Sequence, residues 1–87
     1  MLEENKDELA RTLTNEMGKP LQQSYNELNG ARGRIKFFTD NSEKWLKDEW
    51  ITTEAATKEK IVYEPLGVIA NISAWNYPYL VLSLIHI

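Results

Sequence analysis

Hydrophobic and polar positions change rhythm once along this chain. In the first half apolar residues return every three or four positions; in the last third they run almost without interruption. Leu2, Leu9, Ala10, Leu13 and Met17 fall on one face of a 3.6-residue helix, while Glu3, Lys6, Asp7 and Arg11 face away. Gly18 follows the last apolar residue and Pro20 comes two positions later. Glycine adopts the left-handed conformation past a helix end and proline cannot continue the helix, so the two predict a stop. Pro20 also suits the first turn of a second helix, where a missing N–H costs nothing. Leu21, Tyr25, Leu28, Ala31 or Arg32, Ile35 and Phe38 keep the three-to-four spacing, which predicts a helix of about 20 residues. Gly30 and Gly33 lie inside it, each about 1 kcal/mol less favourable there than Ala. They read as close helix packing or a kink, or else as a ligand contact. Asp40-Asn41-Ser42 interrupts the pattern and offers a cap for a short continuation through Trp45 and Leu46. Trp45 and Trp50 read as packing residues, and Ile51 to Thr57 as a connector.

The rhythm then shifts. Lys58 to Glu64 reads as a strand with polar, edge-like character, and Pro65-Leu66-Gly67 as a turn. Val68 to Ser73 is a short β-branched run whose near-continuous apolarity fits a strand buried on both faces, as in a parallel α/β sheet. Ala74-Trp75-Asn76-Tyr77-Pro78 ends it. Asn76 therefore stands just beyond the carboxyl end of the predicted strand, where open α/β sheets bind ligands. Pro78 suits the first turn of a following helix. The predicted fold class is α/β: N-terminal helices leading into the first strands of a sheet.

Composition sharpens this. The chain has 87 residues, no cysteine and a formal net charge of -3. One domain is the most such a length allows, and it hides only about 60–65% of its unfolded surface. Without cysteine there is no disulfide, no thiolate metal site and no cysteine nucleophile. The mildly acidic balance argues against a nucleic-acid surface or a polybasic membrane anchor. All ten Lys and Arg, and twelve of thirteen Asp and Glu, lie in residues 1–60. Residues 61–87 carry only Glu64 and His86 as ionisable acid and imidazole, and 18 of those 27 residues are hydrophobic. Chain ends are usually polar and solvated. The apolar end reads as a membrane span or as the strands of a larger domain. Glu64, Pro65, Asn71, Asn76 and Pro78 interrupt it, and no stretch approaches the roughly 20 apolar residues a span needs. The acidic start, Leu2 to Glu8, lacks the apolar region of a signal peptide. The expectation is an N-terminal piece of a longer protein.

The chemistry visible from residue types alone is sparse. There is no GxGxxG, P-loop, paired histidine, Ser/His/Asp set or internal repeat. His86 is a lone histidine in an apolar tail. Glu16 and Lys19 flank a helix end and read as solvated surface residues. Asn76 reads as a strand-end cap or as a ligand group; Trp75 reads as a core aromatic or as part of a site.

Glu16-Met17-Gly18-Lys19-Pro20, then Glu64-Pro65-Leu66-Gly67-Val68, then Asn71-Ile72-Ser73-Ala74-Trp75-Asn76-Tyr77-Pro78 resemble, in order and spacing, the N-terminal part of the aldehyde dehydrogenase superfamily. The first stretch resembles its semialdehyde dehydrogenase-like branches. The resemblance covers residues 1 to about 81. It implies a three-layer α/β protein whose cofactor-binding domain is Rossmann-like. Residues 1–57 would be the helical part of that domain, 58–66 a strand of the oligomerisation arm, and 67–81 the start of the sheet. It further implies oxidation of an aldehyde to a carboxylic acid with NAD or NADP through a cysteine thioester. Asn76 matches the asparagine whose side-chain amide holds the tetrahedral oxyanion. A fixed neutral donor of that kind contributes about 10²–10³-fold in rate. Ile72, Ser73, Ala74 and Trp75 match the strand-end stretch that lines the nicotinamide site. The implied protein is a cytoplasmic dimer or tetramer acting on an aldehyde, without a metal, nucleic acid or membrane partner. A CoA-acylating relative would share these residues. The alternative of another class is a non-catalytic helical interaction module with an apolar, membrane-associated tail; it leaves Trp75-Asn76-Tyr77-Pro78 unexplained.

Residues 82–87 depart from the family's pattern. Leu82-Ser83-Leu84-Ile85-His86-Ile87 reads as the translation of a sequencing-adapter end, and a non-native tail is expected there. The nucleophilic cysteine, the glutamate base, the cofactor-binding lysine and the Gly-rich turn all lie farther along in the family. The 87-residue chain alone is expected to oxidise no aldehyde. Purified chain mixed with aldehyde and either nicotinamide cofactor should give no rise in reduced-cofactor absorbance; a sustained rise would contradict this.

Overall fold

A computed structural model describes residues 2–52 and 57–84. Five elements follow in order: α1 (Lys6–Met17), α2 (Leu21–Trp45), β1 (Glu49–Thr52), β2 (Glu59–Ile61) and α3 (Pro78–Leu82). α1 ends where the sequence predicts. Gly18 takes φ 68°, ψ 12° and donates its N–H to the Thr14 carbonyl at 2.9 Å. An L side chain there would cost about 1–2 kcal/mol, so a glycine closes the helix. Pro20 is the N-cap of α2 rather than a first-turn residue, and its carbonyl accepts the Gln23 N–H at 2.8 Å.

The two helices form an antiparallel-type hairpin around a small core. Its buried apolar residues are Ala10 and Leu13 from α1 and Leu28 and Ala31 from α2. Leu9 and Met17 are half-buried, and Leu2 precedes the helix. A hydroxyl pair, Thr14 and Ser24, closes the interface at 3.0 Å. At the outer edge the Tyr25 hydroxyl donates to the Asp7 carboxylate, which also accepts from Arg11 Nε at 2.8 Å. Tyr25, then Arg11, hold the Asp7 carboxyl below its ordinary value, and the same contact raises the Tyr25 phenol.

Three expectations need correction. α2 does not break at residues 40–42 but runs 25 residues through Trp45. The side chains expected to cap instead bond back along the helix: Thr39 to the Ile35 carbonyl, Asn41 to that of Phe37 and Ser42 to that of Thr39. Such back-bonding lets short polar residues sit inside a helix. Trp45 packs on Phe37 and Phe38 as expected, with ring centroids 5.5 and 6.2 Å away, whereas Trp50 is exposed on β1 and packs into no core. Ile51 and Thr52 belong to a strand, not a connector; residues 53–56 lie outside the described residues.

The sheet also differs. β1 pairs antiparallel with β2, Glu49 opposite Ile61, Trp50 opposite Lys60 and Thr52 opposite Glu59, with an irregularity between Trp50 and Thr52. β2 is shorter than the strand expected over 58–64. The buried strand expected over 68–73 is absent: these residues pair with no neighbour, and Val68 and Ile72 are fully exposed. A strand needs ladder partners for its N–H and C=O groups, and no described segment supplies them here. The radius of gyration is 18.7 Å, against about 12 Å for a compact domain of this length. Among the described residues no helix is long and apolar enough to cross a membrane.

Candidate functional site

The site is built where the chain's late segment returns to the helical hairpin. Lys19 sits in the link between α1 and α2, with a side chain 9% exposed. Its Nζ donates to Glu27 Oε2 at 2.6 Å and to the backbone carbonyl of Asn76 at 2.5 Å. It also lies 3.7 Å from the centroid of the Tyr77 ring, a distance at which cation–π attraction contributes about 0.5–2 kcal/mol. The expectation of a solvated Lys19 is therefore wrong; Glu16 is exposed as expected.

Glu27 is the centre of this arrangement. Its side chain is fully buried. Oε1 accepts the backbone N–H groups of Tyr79 at 2.9 Å and Leu80 at 3.2 Å. These are first-turn donors of α3 with no partner inside the helix. One carboxylate thus joins the α1–α2 link on one oxygen and the start of α3 on the other. Burial, then the charges of Glu16 and Glu27, hold the half-buried Tyr79 phenol above its ordinary value. Leu80 closes against α2 at Gly30, where an added Cβ would lie 3.4 Å from Leu80 Cδ1. That is close to ordinary van der Waals contact with the end of a flexible side chain, so the packing is near but does not demand a glycine; nothing in the structure explains Gly33. A shallow groove of about 360 Å³ runs beside the contact, lined by Gln23, Asn26, Glu27, Gly30, Tyr77 and Leu80.

Asn76 stands in the turn immediately before α3, with its side chain exposed. No hydrogen bond engages its side-chain amide among the described residues. Ile72 and Trp75 are exposed at 96% and 73%, and Ala74 is exposed as well. Ser73 is half-buried and donates to Asn71 Oδ1 at 3.2 Å. Asn71 Nδ2 is buried without a partner among the described residues, a state that costs about 1–3 kcal/mol. The structure thus sets Ile72, Ser73, Ala74, Trp75 and Asn76 along one exposed stretch but encloses none of them in a cavity. Pro78 opens α3 as expected. His86 lies outside the described residues.

Sequence reasoning missed Lys19 and Glu27. A signal existed: Ser24, Glu27, Leu28 and Ala31 share the spacing of one buried stripe, and all four are buried. A carboxylate on such a stripe needs a buried partner.

The described residues hold three helices and one two-stranded antiparallel sheet, in part consistent with a piece of an α/β protein, and comparison with known proteins identifies the class. The aldehyde dehydrogenase family model matches residues 1–85. A probable succinate-semialdehyde dehydrogenase [NADP(+)] of Synechocystis sp. is 40% identical over 79 residues, 91% of this chain and 17% of the relative. A 3-sulfolactaldehyde dehydrogenase of Pseudomonas putida is 37% identical over 81 residues, 92% of this chain and 16% of the relative. A succinate-semialdehyde dehydrogenase [NADP(+)] of Escherichia coli is 32% identical over 78 residues, 90% of this chain and 16% of the relative. No solved structure matches. The chain belongs to the aldehyde dehydrogenase family. It spans about one-sixth of the length of these relatives.

The Lys19–Glu27 geometry generates a stability prediction. Removing one partner of a buried pair leaves the other charge uncompensated, so Glu27→Ala should cost about 3–5 kcal/mol. The exposed pair of Lys36 with Asp40, at 2.7 Å, gives the contrast: Lys36→Met should cost less than about 0.5 kcal/mol. Urea unfolding of both variants measures the difference, and equal losses would contradict it.

Proposed function

We propose that this chain is the N-terminal segment of an NAD- or NADP-dependent aldehyde dehydrogenase that oxidises an aldehyde to a carboxylic acid through a cysteine thioester. The observation that carries the reading is the exposed, unengaged side-chain amide of Asn76 on a turn whose backbone is pinned, in a chain that belongs to this family. The nucleophilic cysteine and the glutamate base belong to the remainder of the longer protein. Attack of the thiolate on the aldehyde carbon turns the carbonyl oxygen into an oxyanion. The Asn76 amide N–H donates to that oxygen and is neutral throughout, so it stabilises charge as it develops without moving a proton.

Ile72, Ser73, Ala74 and Trp75 would line the nicotinamide site. Their fit is chemical: Ile72 and Trp75 present apolar faces with no cover in this chain, suited to one face of a flat ring. The nicotinamide cofactor supplies the hydride acceptor when bound. The remaining stretch of the family's Rossmann-like sheet would pair the segment 68–73, cover Leu66, Val68 and Ile72, and give Asn71 Nδ2 its partner. Residues 1–57 would form the helical part of that domain, 58–66 a strand of the oligomerisation arm and 67–81 the start of the sheet. The β1–β2 hairpin, with Trp50, Ile51 and Ile61 exposed, would suit an arm that pairs across a subunit interface of a homo-oligomer, and a cytoplasmic location is part of the same reading. The relatives named for succinate semialdehyde, 3-sulfolactaldehyde and glutarate semialdehyde all take an aldehyde bearing an acid group, and the same substrate class is proposed here.

In the longer protein that carries this chain, Asn76→Ala should lower kcat by about 10²–10³-fold and leave cofactor affinity unchanged. Steady-state kinetics with succinate semialdehyde, and cofactor titration by fluorescence quenching, test this. An unchanged kcat would exclude Asn76 as the oxyanion donor.

A further inference from the structure

We propose that Lys19 and Glu27 are positioning residues: their buried ion pair fixes the turn on which the Asn76 amide stands. The inference rests on the oxyanion reading of Asn76 and extends it to two residues that never reach the reacting atoms. Lys19 Nζ grips the carbonyl of Asn76 itself at 2.5 Å and lies 3.7 Å from the ring centroid of Tyr77. Glu27 Oε1 takes the N–H groups of Tyr79 and Leu80, while Oε2 holds Lys19 at 2.6 Å. The backbone is therefore held on both sides of Pro78 by one pair of side chains, across 57 residues of sequence between Lys19 and Asn76.

Apolar packing holds α3 only in part: none of its residues is fully buried, Pro78, Tyr79 and Leu80 are half-buried, and Leu80 meets α2 beside Gly30. Asn76 and Trp75 are exposed and Ile72 is almost wholly so, so no core contact sets the register of the turn. The polar clamp adds direction to that packing: charge-assisted hydrogen bonds to a backbone carbonyl and two amides define a position more narrowly than side-chain contact does. Catalysis by a fixed donor is sensitive to such placement, since a displacement of about 1 Å can cost roughly 10²-fold in rate.

The test uses the longer protein that carries this chain, with Lys19→Met, Asn76→Ala and the double variant assayed on succinate semialdehyde. Lys19→Met should lower kcat by about 10–10²-fold while KM and cofactor affinity stay within about twofold. A residue acting through another is non-additive with it. In the Asn76→Ala background Lys19→Met should therefore cost less than about twofold more. Lys19→Arg, which keeps a charged donor, should recover part of the loss. Equal loss from Lys19→Met in both backgrounds, or no loss in either, would overturn the positioning role while leaving the oxyanion reading intact. An Asn76→Ala variant with full kcat would instead overturn the oxyanion reading, and the positioning role with it. Should Lys19→Met yield no folded protein, Glu27→Gln replaces it with the same expected outcomes. That variant keeps a carbonyl oxygen for Tyr79 and Leu80 and removes only the ion pair.

Discussion

A carboxylate buried without any exposed surface must find its donors inside the protein, and in this chain Glu27 finds three: Lys19 Nζ, and the backbone amides of Tyr79 and Leu80. Removing such a group from water costs several kcal/mol before any partner is counted. The three donors come from two places far apart in sequence. Their convergence ties the link between the first two helices to the start of the third, and Lys19 carries the tie three residues back from Tyr79, to the Asn76 carbonyl. Much else about the late segment follows from this constraint. The extended run before it, Val68 to Ser73, has no ladder partner among the described residues and little burial, so its end meets the clamp rather than a sheet.

The rest of the architecture looks outward. The core consists of Ala10, Leu13, Leu28 and Ala31, which suffices to join two helices and little more. Leu66, Val68, Ile72 and Trp75 present apolar surface to water, and Asn71 keeps a buried N–H₂ without a partner among the described residues. A chain that spans about one-sixth of its relatives' length and has this much uncovered apolar surface is suited to be one layer of a larger α/β protein. In that setting the rigid helical hairpin would act as a bracket. On the proposed reading, it would hold the turn that carries the Asn76 amide.

Legibility in the sequence followed the range of the forces involved. The stop at Gly18 and Pro20 is local chemistry, one backbone angle and one missing N–H, and it appeared where expected. The Asn76 turn and the Pro78 helix start are local in the same way. The uninterrupted α2 was not legible because Thr39, Asn41 and Ser42 can satisfy helix carbonyls as readily as cap a new helix. The β1 strand escaped because Thr-rich and Ala-rich residues follow it and its pattern is only four residues long. The strand expected over 68–73 has the right composition but lacks neighbours, and strand formation depends on neighbours more than on propensity. The clamp was hidden for a further reason. Lys19 and Glu27 are common surface residue types, and the carbonyl and amides they hold are invisible to side-chain pattern; only the buried spacing of Ser24, Glu27, Leu28 and Ala31 pointed that way.

Glu27 and Lys19 together hold the backbone from Asn76 to Leu80. Hydrogen exchange at the Tyr79 and Leu80 amides measures that hold directly. In the longer protein both amides should be protected, and Glu27→Ala should release them while the core amides of Leu28 and Ala31 keep their protection. Tyr79 and Leu80 amides that exchange equally slowly with and without the Glu27 carboxylate would contradict the account.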